Sequence, residues 1–153
     1  ELEEATARLR TEHAATRKQL AEVQRRLHVF EADHLMEELG KRVGESGLVA
    51  TVFDDRAVDE IQALARELSG RGGHAVFATR IGGRATLIIA HSHWPTEFDA
   101  GKLLKETLAK FGGRGGGQEK MAQGALTDPA NAEAAMRWAA ACIVERCRGT
   151  GNP

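Results

Sequence analysis

Apolar side chains along the first 39 residues return every seven positions. One position of the repeat carries Leu2, Leu9, Thr16, Val23 and Phe30, and a second carries Thr6, His13, Leu20, Leu27 and His34. The stretch contains no Gly or Pro and is rich in Glu, Arg, Ala, Leu and Gln, which are good helix formers. Acidic and basic residues alternate on the remaining faces, as on a solvated coiled-coil helix. The pattern predicts one long helix, ended by Gly40 and Gly44. A lone helix of this length lacks stability without a partner. It is expected to pair through Leu20, Val23, Leu27 and Phe30, either with a second copy or with a helix outside this sequence. His13 and His34 on the seam read as core-edge filler in preference to a pH switch.

Beyond residue 44 the period shortens. Leu48–Phe53 reads as a strand, and Asp54 or Asp55 is expected to cap a helix over 56–68 with Ile61, Leu64, Ala65 and Leu68 on its inner face. His74–Ile81 and Arg84–His91 read as strands joined by Gly82-Gly83, a two-residue turn in which both glycines accept positive φ. The apolar run of 84–91 predicts a strand buried on both faces and central in its sheet. A helix over 98–110 points Leu103, Leu104, Thr107 and Leu108 inward. A glycine loop follows, then a short last strand at Met121–Leu126. Asp128-Pro129 opens a final helix over 131–146, with Ala135, Trp138, Ala139, Cys142 and Ile143 as its inner stripe. The fold class is therefore α+β: a helical segment, residues 1–44, and a small α/β sandwich with a Gly-rich loop, residues 45–153.

Composition narrows the function classes. Charged residues are 28% and aromatics only 5%, with no Tyr, which argues against an RNA-recognition sheet, since such a sheet needs exposed rings. No apolar run approaches a membrane span, and the acidic opening Glu1-Leu2-Glu3-Glu4 is no signal peptide. The chain has no initiator Met and opens inside a helical pattern, so it is expected to be a piece of a longer one. Cys142 and Cys147 match neither a zinc motif nor a disulfide framework and fit a reducing, cytoplasmic setting. The net charge of −1 hides an asymmetry. Residues 69–153 are net basic, and no acid falls between Ser69 and Thr96, where Arg71, Arg80, Arg84, His74, His91 and His93 lie. Such asymmetry hints at an anionic partner.

The run Phe111-Gly112-Gly113-Arg114-Gly115-Gly116-Gly117 stands out. So many glycines are entropically costly to order, and the cost suggests a use: amides free to converge on phosphate oxygens. Arg114 lies within the run, Lys120 just after it, and Lys102, Lys105 and Lys110 on the helix before it. Together these predict a basic, glycine-floored anion site. The run is neither a Walker A loop nor a dinucleotide fingerprint.

The string Gly112-Gly113-Arg114-Gly115-Gly116-Gly117-Gln118-Glu119-Lys120-Met121-Ala122-Gln123-Gly124, preceded by Ala100-Gly101-Lys102-Leu103-Leu104-Lys105, resembles the signature of the DHHA1-type (C-Ala) domain that closes alanyl-tRNA synthetases. The resemblance covers nearly the whole chain, coiled-coil segment included. It implies a non-catalytic accessory domain that binds tRNA(Ala) at the elbow, helps aminoacylation and editing share one tRNA, and contributes to a homodimer. It implies no cofactor for this fragment, while the parent enzyme would use ATP, Mg and zinc. The residues it assigns to RNA are Gly113, Arg114, Gly115, Gly116, Gly117, Gln118 and Lys120, with Lys102, Lys105, Lys110, Arg80 and Arg84 supplying the surrounding field.

Departures bear on chemistry. Gln118 stands where related phosphoesterases carry a phosphate-contacting His, and the Asp-His-His motif of those enzymes is missing. The zinc ligands of the editing domain are missing as well, and His91-Ser92-His93 reads as a polar strand end, not a metal site. Trp94 either stacks on an RNA base or seals the core edge. Two further readings stand beside the synthetase domain: the same module on a free-standing alanyl-tRNA editing protein, or chiefly a coiled-coil dimerisation module.

Overall fold

The computed structural model describes residues 1–40, 47–92 and 99–149. The sequence-based readings of Gly44, His93 and Trp94 lie outside these residues. The elements are α1 (Leu2–Gly40), β1 (Leu48–Asp54), α2 (Val58–Gly70), β2 (His74–Ile81), β3 (Arg84–His91), α3 (Ala100–Phe111), β4 (Gly113–Gly117), β5 (Met121–Leu126), a 3-10 turn (Pro129–Asn131) and α4 (Ala132–Gly149). Among the described residues no helix is long and apolar enough to cross a membrane.

One mixed sheet organises the chain, in the order β1-β2-β3-β5-β4. β1 runs parallel to β2, and the other pairs are antiparallel. The β2–β3 hairpin turns at Gly82 and Gly83, with φ of 58° and 72°, as a mirror-type two-residue turn requires. β3 is the middle strand, and every residue from Leu87 to His91 is buried. The two faces of the sheet carry separate cores. Val76, Leu87, Ile89, Ala122 and Leu126 pack under α3 and α4 through Leu103, Leu104, Ala135 and Ile143. Ala75, Phe77, Ile88 and Ala90 pack under α2 and the last turns of α1 through Ile61, Leu64, Leu68 and Ala32.

Two arginines fasten α1 to the sandwich. Arg56 reaches Glu31 of α1 at 3.0 Å while its Nε holds Glu60 of α2 at 2.8 Å. Arg71 pairs with Asp33 of α1 and, at 3.0 Å, with Glu67 of α2. Upstream of this junction residues 1–27 are exposed throughout, and the seam residues Leu20, Val23, Leu27 and Phe30 are 50–71% accessible.

Several expectations change in contact with the structure. Neither Asp54 nor Asp55 caps α2: its N-cap is Ala57, without a side-chain bond. Asp54 belongs to β1 and is forked onto Arg80 at 2.7 and 3.1 Å, while Asp55 turns the chain at φ 57°. Asp99 caps α3, accepting from Lys102 N at 3.1 Å, and Asp128 caps the 3-10 turn through Ala130 N. Trp138 is half-buried at the rim of α4, edge-on to Phe111 at 6.3 Å, and Ala132, Ala135, Met136, Ala139 and Ile143 form the buried stripe. The glycine run is not a loop: it is the edge strand β4.

Candidate nucleic-acid interface

β4 exists because its glycines lie against backbone. A Cβ on Gly113, Gly115 or Gly117 would come closer than 3.0 Å to main-chain atoms of Ala125, of Gln123 and Gly124, or of Met121 and Ala122, respectively. These three glycines face the α3 side, opposite Leu126, Gly124 and Ala122 of β5. Gly116 is different. It faces the α2 side, and a Cβ placed on it would meet nothing within 4 Å. Packing accounts for the odd-numbered glycines and leaves Gly116 unexplained.

On that α2 side the sheet outgrows its helical cover. Arg114 lies in register with Ala125 and Thr86, and Gly116 with Gln123 and Ile88. Ile88 is buried under α2, whereas Arg114, Gln118, Gln123 and Ala125 are exposed. Gln62 of α2 donates to Gln123 at the boundary. The result is an open shelf: a half-buried peptide at Gly116 with no side chain over it, Arg114 on one side of it, Gln118 on the other, and Gln123 across. Arg84 joins the same face at the hairpin end of β3.

The edge of β4 adds donors. Thr127 N donates to Gly112 O and Gln118 N to Met121 O, so the even-numbered residues bond to β5. The N–H groups of Gly113, Gly115 and Gly117 therefore point off the sheet. They do not converge on one anion, as a loop would have allowed. They form a row repeating about every 6.8 Å, a layout suited to an extended polyanion.

The remaining basic residues separate into other patches. Lys102, Lys105 and Lys110 are exposed on α3, which covers the opposite face from Arg114. Lys110 Nζ lies over the rings of Phe111 and Trp138, at 6.0 and 5.7 Å. Lys120 occupies the turn between β4 and β5, beside the start of α3, where Ala100 N donates to Glu119 O at 2.8 Å. Arg80 lies on the α4 side with its guanidinium committed to Asp54, whose carboxyl that bond holds below the ordinary range. The thirteen-residue signature string thus brings Arg114, Gly116, Gln118 and Gln123 to one face, with its own Lys120 in the turn beyond, while Lys102, Lys105 and Lys110 lie on α3 across the sheet. Gln62 and Thr86 went unread in the sequence, because only the register shows that α2 and β3 border the glycine strand.

Two histidines sit below the β4–β5 turn. His91 Nδ1 and Nε2 lie 2.7 and 2.8 Å from the carbonyl oxygens of Ser92 and Glu119, which ties the turn to the end of β3. His74, its cross-strand partner, has a buried Nδ1 without a hydrogen-bond partner among the described residues, and burial, with His91 beside it, pushes its imidazole below the ordinary value. Among the described residues no group of three or more His, Cys, Asp or Glu side chains is placed to hold a metal. Burial raises the Cys142 thiol, which makes it a poor nucleophile.

A mixed sheet between two helical layers, closed at one edge by a glycine strand, defines the class as a small α+β domain. The chain matches the DHHA1 domain over residues 44–145 and belongs to that family. Its globular part has the fold of the C-Ala domain of Aquifex aeolicus alanyl-tRNA synthetase, with a TM-score of 0.59 at 25% identity over 67% of this chain and 95% of that one. It is similar to alanine–tRNA ligases, at 31% identity over 143 residues to that of Methanoculleus marisnigri and 37% over 100 residues to that of Cutibacterium acnes. These alignments cover 94% and 61% of this chain but 15% and 11% of those enzymes. RecJ of Thermus thermophilus shares the fold, with a TM-score of 0.54 at 14% identity over 80% of this chain and 17% of that one.

Proposed function

We propose that this chain is the tRNA-binding accessory domain of an alanyl-tRNA synthetase. It takes tRNA(Ala) at the elbow, helps aminoacylation and editing share that tRNA, and acts in the cytoplasm as a homodimer paired along α1. The chemistry that needs ATP, Mg and zinc belongs to parts of such an enzyme outside this chain. The observation that carries the reading is Gly116, a glycine that packing does not require, with open space where a side chain would stand between Arg114 and Gln118, beside a row of outward amides. Such a surface lets a ribose–phosphate chain lie directly on main chain while the guanidinium takes a phosphate and the amides take hydroxyl or phosphate oxygens. Recognition of this kind reads shape more than sequence.

A second reading has its own observation: the row of apolar side chains on α1, exposed well away from the sandwich, favours a dimerisation module. The two separate by experiment. Binding to a tRNA transcript and to an RNA duplex of equal length is measured across a salt series, for the parent sequence and for Arg114→Ala with Lys120→Ala. The tRNA reading expects a preference for folded tRNA and a salt slope shallower by about 2 in the double variant. Equal, weak and substitution-insensitive binding to both RNAs rejects the shelf. If Leu20→Lys with Leu27→Lys abolishes pairing along α1 and tRNA is still bound, the helix is not the binding element.

A further inference from the structure

We infer that the outer edge of β1 is a self-association site, at which a second copy of this chain adds its own β1 antiparallel across a two-fold axis. The inference is independent of the RNA reading and concerns the opposite edge of the sheet.

Among the described residues β1 has a neighbour strand on one side only. Gly47 O accepts from His74 N at 2.9 Å and Asp55 N donates to Arg80 O at 2.8 Å, so the odd-numbered residues form the ladder to β2. The N–H and C=O groups of Leu48, Ala50, Val52 and Asp54 therefore point outward. Proteins ordinarily blunt such an edge with Pro, Lys, a bulge or an inward charge. β1 has none of these: its register with β2 is unbroken from Leu48 to Asp54, and the charge of Asp54 is answered by Arg80. The far edge, β4, is short and carries Arg114.

An open groove of about 500 Å³ runs along this edge, between Ala50 and Val52 of β1 and Glu133, Met136, Arg137 and Ala140 of α4. Its charges indicate the occupant. Glu133 and Arg137 stand one helical turn apart, paired at 2.5 Å and largely exposed. A groove with one acid and one base on the same helix has no net preference for an acidic or a basic peptide. It is complementary to itself: a two-fold turns the second α4 end for end, bringing its Arg137 toward this Glu133 and its Glu133 toward this Arg137. The strand matches itself likewise. About an axis at Thr51, Ala50 opposes Val52 and Leu48 opposes Asp54, so each outward group meets an outward group. The small side chains of Ala50 and Thr51 leave room for the approach.

The test is sedimentation velocity on the chain carrying Leu20→Lys and Leu27→Lys, which removes pairing along α1. A concentration-dependent dimer is expected to remain. Val52→Pro should return it to monomer mass, because the Val52 N–H makes no ladder bond inside the fold; Ala50→Lys should do the same by charge repulsion. Arg137→Glu should raise the dissociation constant roughly tenfold, and adding Glu133→Arg should restore it, a rescue that depends on a second copy of the same groove. A monomer at every concentration into the high micromolar range overturns the inference. So does a dimer that Val52→Pro and Ala50→Lys both leave unchanged while circular dichroism shows each folded.

Discussion

Two adjacent glycines should respond to the same substitution in opposite ways. At Gly115 a methyl group would sit closer than 3.0 Å to Gly124 Cα and to the Gln123 carbonyl oxygen. These are main-chain atoms of the paired strand, with no flexible end to swing aside. β4 must part from β5 or the methyl must be crushed against it, and overpacking of that kind costs about 3 kcal/mol. For a domain of this size the loss corresponds to a Tm lower by roughly 10–20 °C. At Gly116 the same methyl meets nothing within 4 Å, and alanine restricts the unfolded chain, so stability should hold or rise by about 0.5 kcal/mol. Urea denaturation followed by circular dichroism gives both numbers, and tRNA binding measured on the same samples separates fold from function. Gly116→Ala should fold normally yet bind more weakly, and Gly116→Val more weakly still. Gly115→Ala with an unchanged denaturation midpoint would refute the close-packing argument. A Gly116→Ala variant that lost stability as Gly115→Ala does would show that Gly116 is structural and remove the reason for placing RNA there.

Leu104→Ala empties a site buried between α3 and the sheet and should cost about 2–5 kcal/mol in urea denaturation. Arg71→Ala removes the bonds to Asp33 and Glu67; it should speed amide exchange in the last turns of α1 while leaving β2 and β3 protected. His74 should make stability pH-dependent, since its folded pKa lies below the ordinary value. As pH falls through about 6.5 the unfolded chain takes up a proton that the folded one resists, so stability declines on the acidic side. His74→Phe should flatten that part of the profile, and an unchanged acid limb would assign it to other groups.

How legible these features are in the sequence depends on which side chains carry a period. β2, β3 and their turn are readable residue by residue, because two runs rich in apolar and β-branched residues flank a glycine pair whose geometry has one good solution. β4 is hidden for a physical reason: five residues of which four are glycine have no side chains to alternate, and what makes them a strand is the nearness of β5, a tertiary fact. The cap of α2 misleads because Asp54 has a better partner in Arg80, across a parallel pairing no local rule anticipates. Arg114 and Gln118 are visible as chemistry within a motif, whereas Gly116 is distinguishable from its neighbours only once each glycine's surroundings are known. Trp138 shows the limit of a helical stripe, since its position on the wheel leaves open whether a ring fills the core or closes its rim.

The two arginines that fasten α1 have a mechanical consequence. From that junction to Leu2 the helix overhangs by about 28 residues, or roughly 42 Å at 1.5 Å per residue. It is a cantilever held at one end, and angular play at the mount is multiplied along the beam: about 5° of freedom displaces the tip by nearly 4 Å. The stiffness of the mount rests partly on ion pairs, two of whose carboxylates sit on the beam itself, at Glu31 and Asp33. Pairs of that kind weaken as ionic strength rises. Whatever grips the far end of α1 is therefore positioned by salt-sensitive chemistry at its root, and its aim should broaden in high salt before any part of the sandwich unfolds.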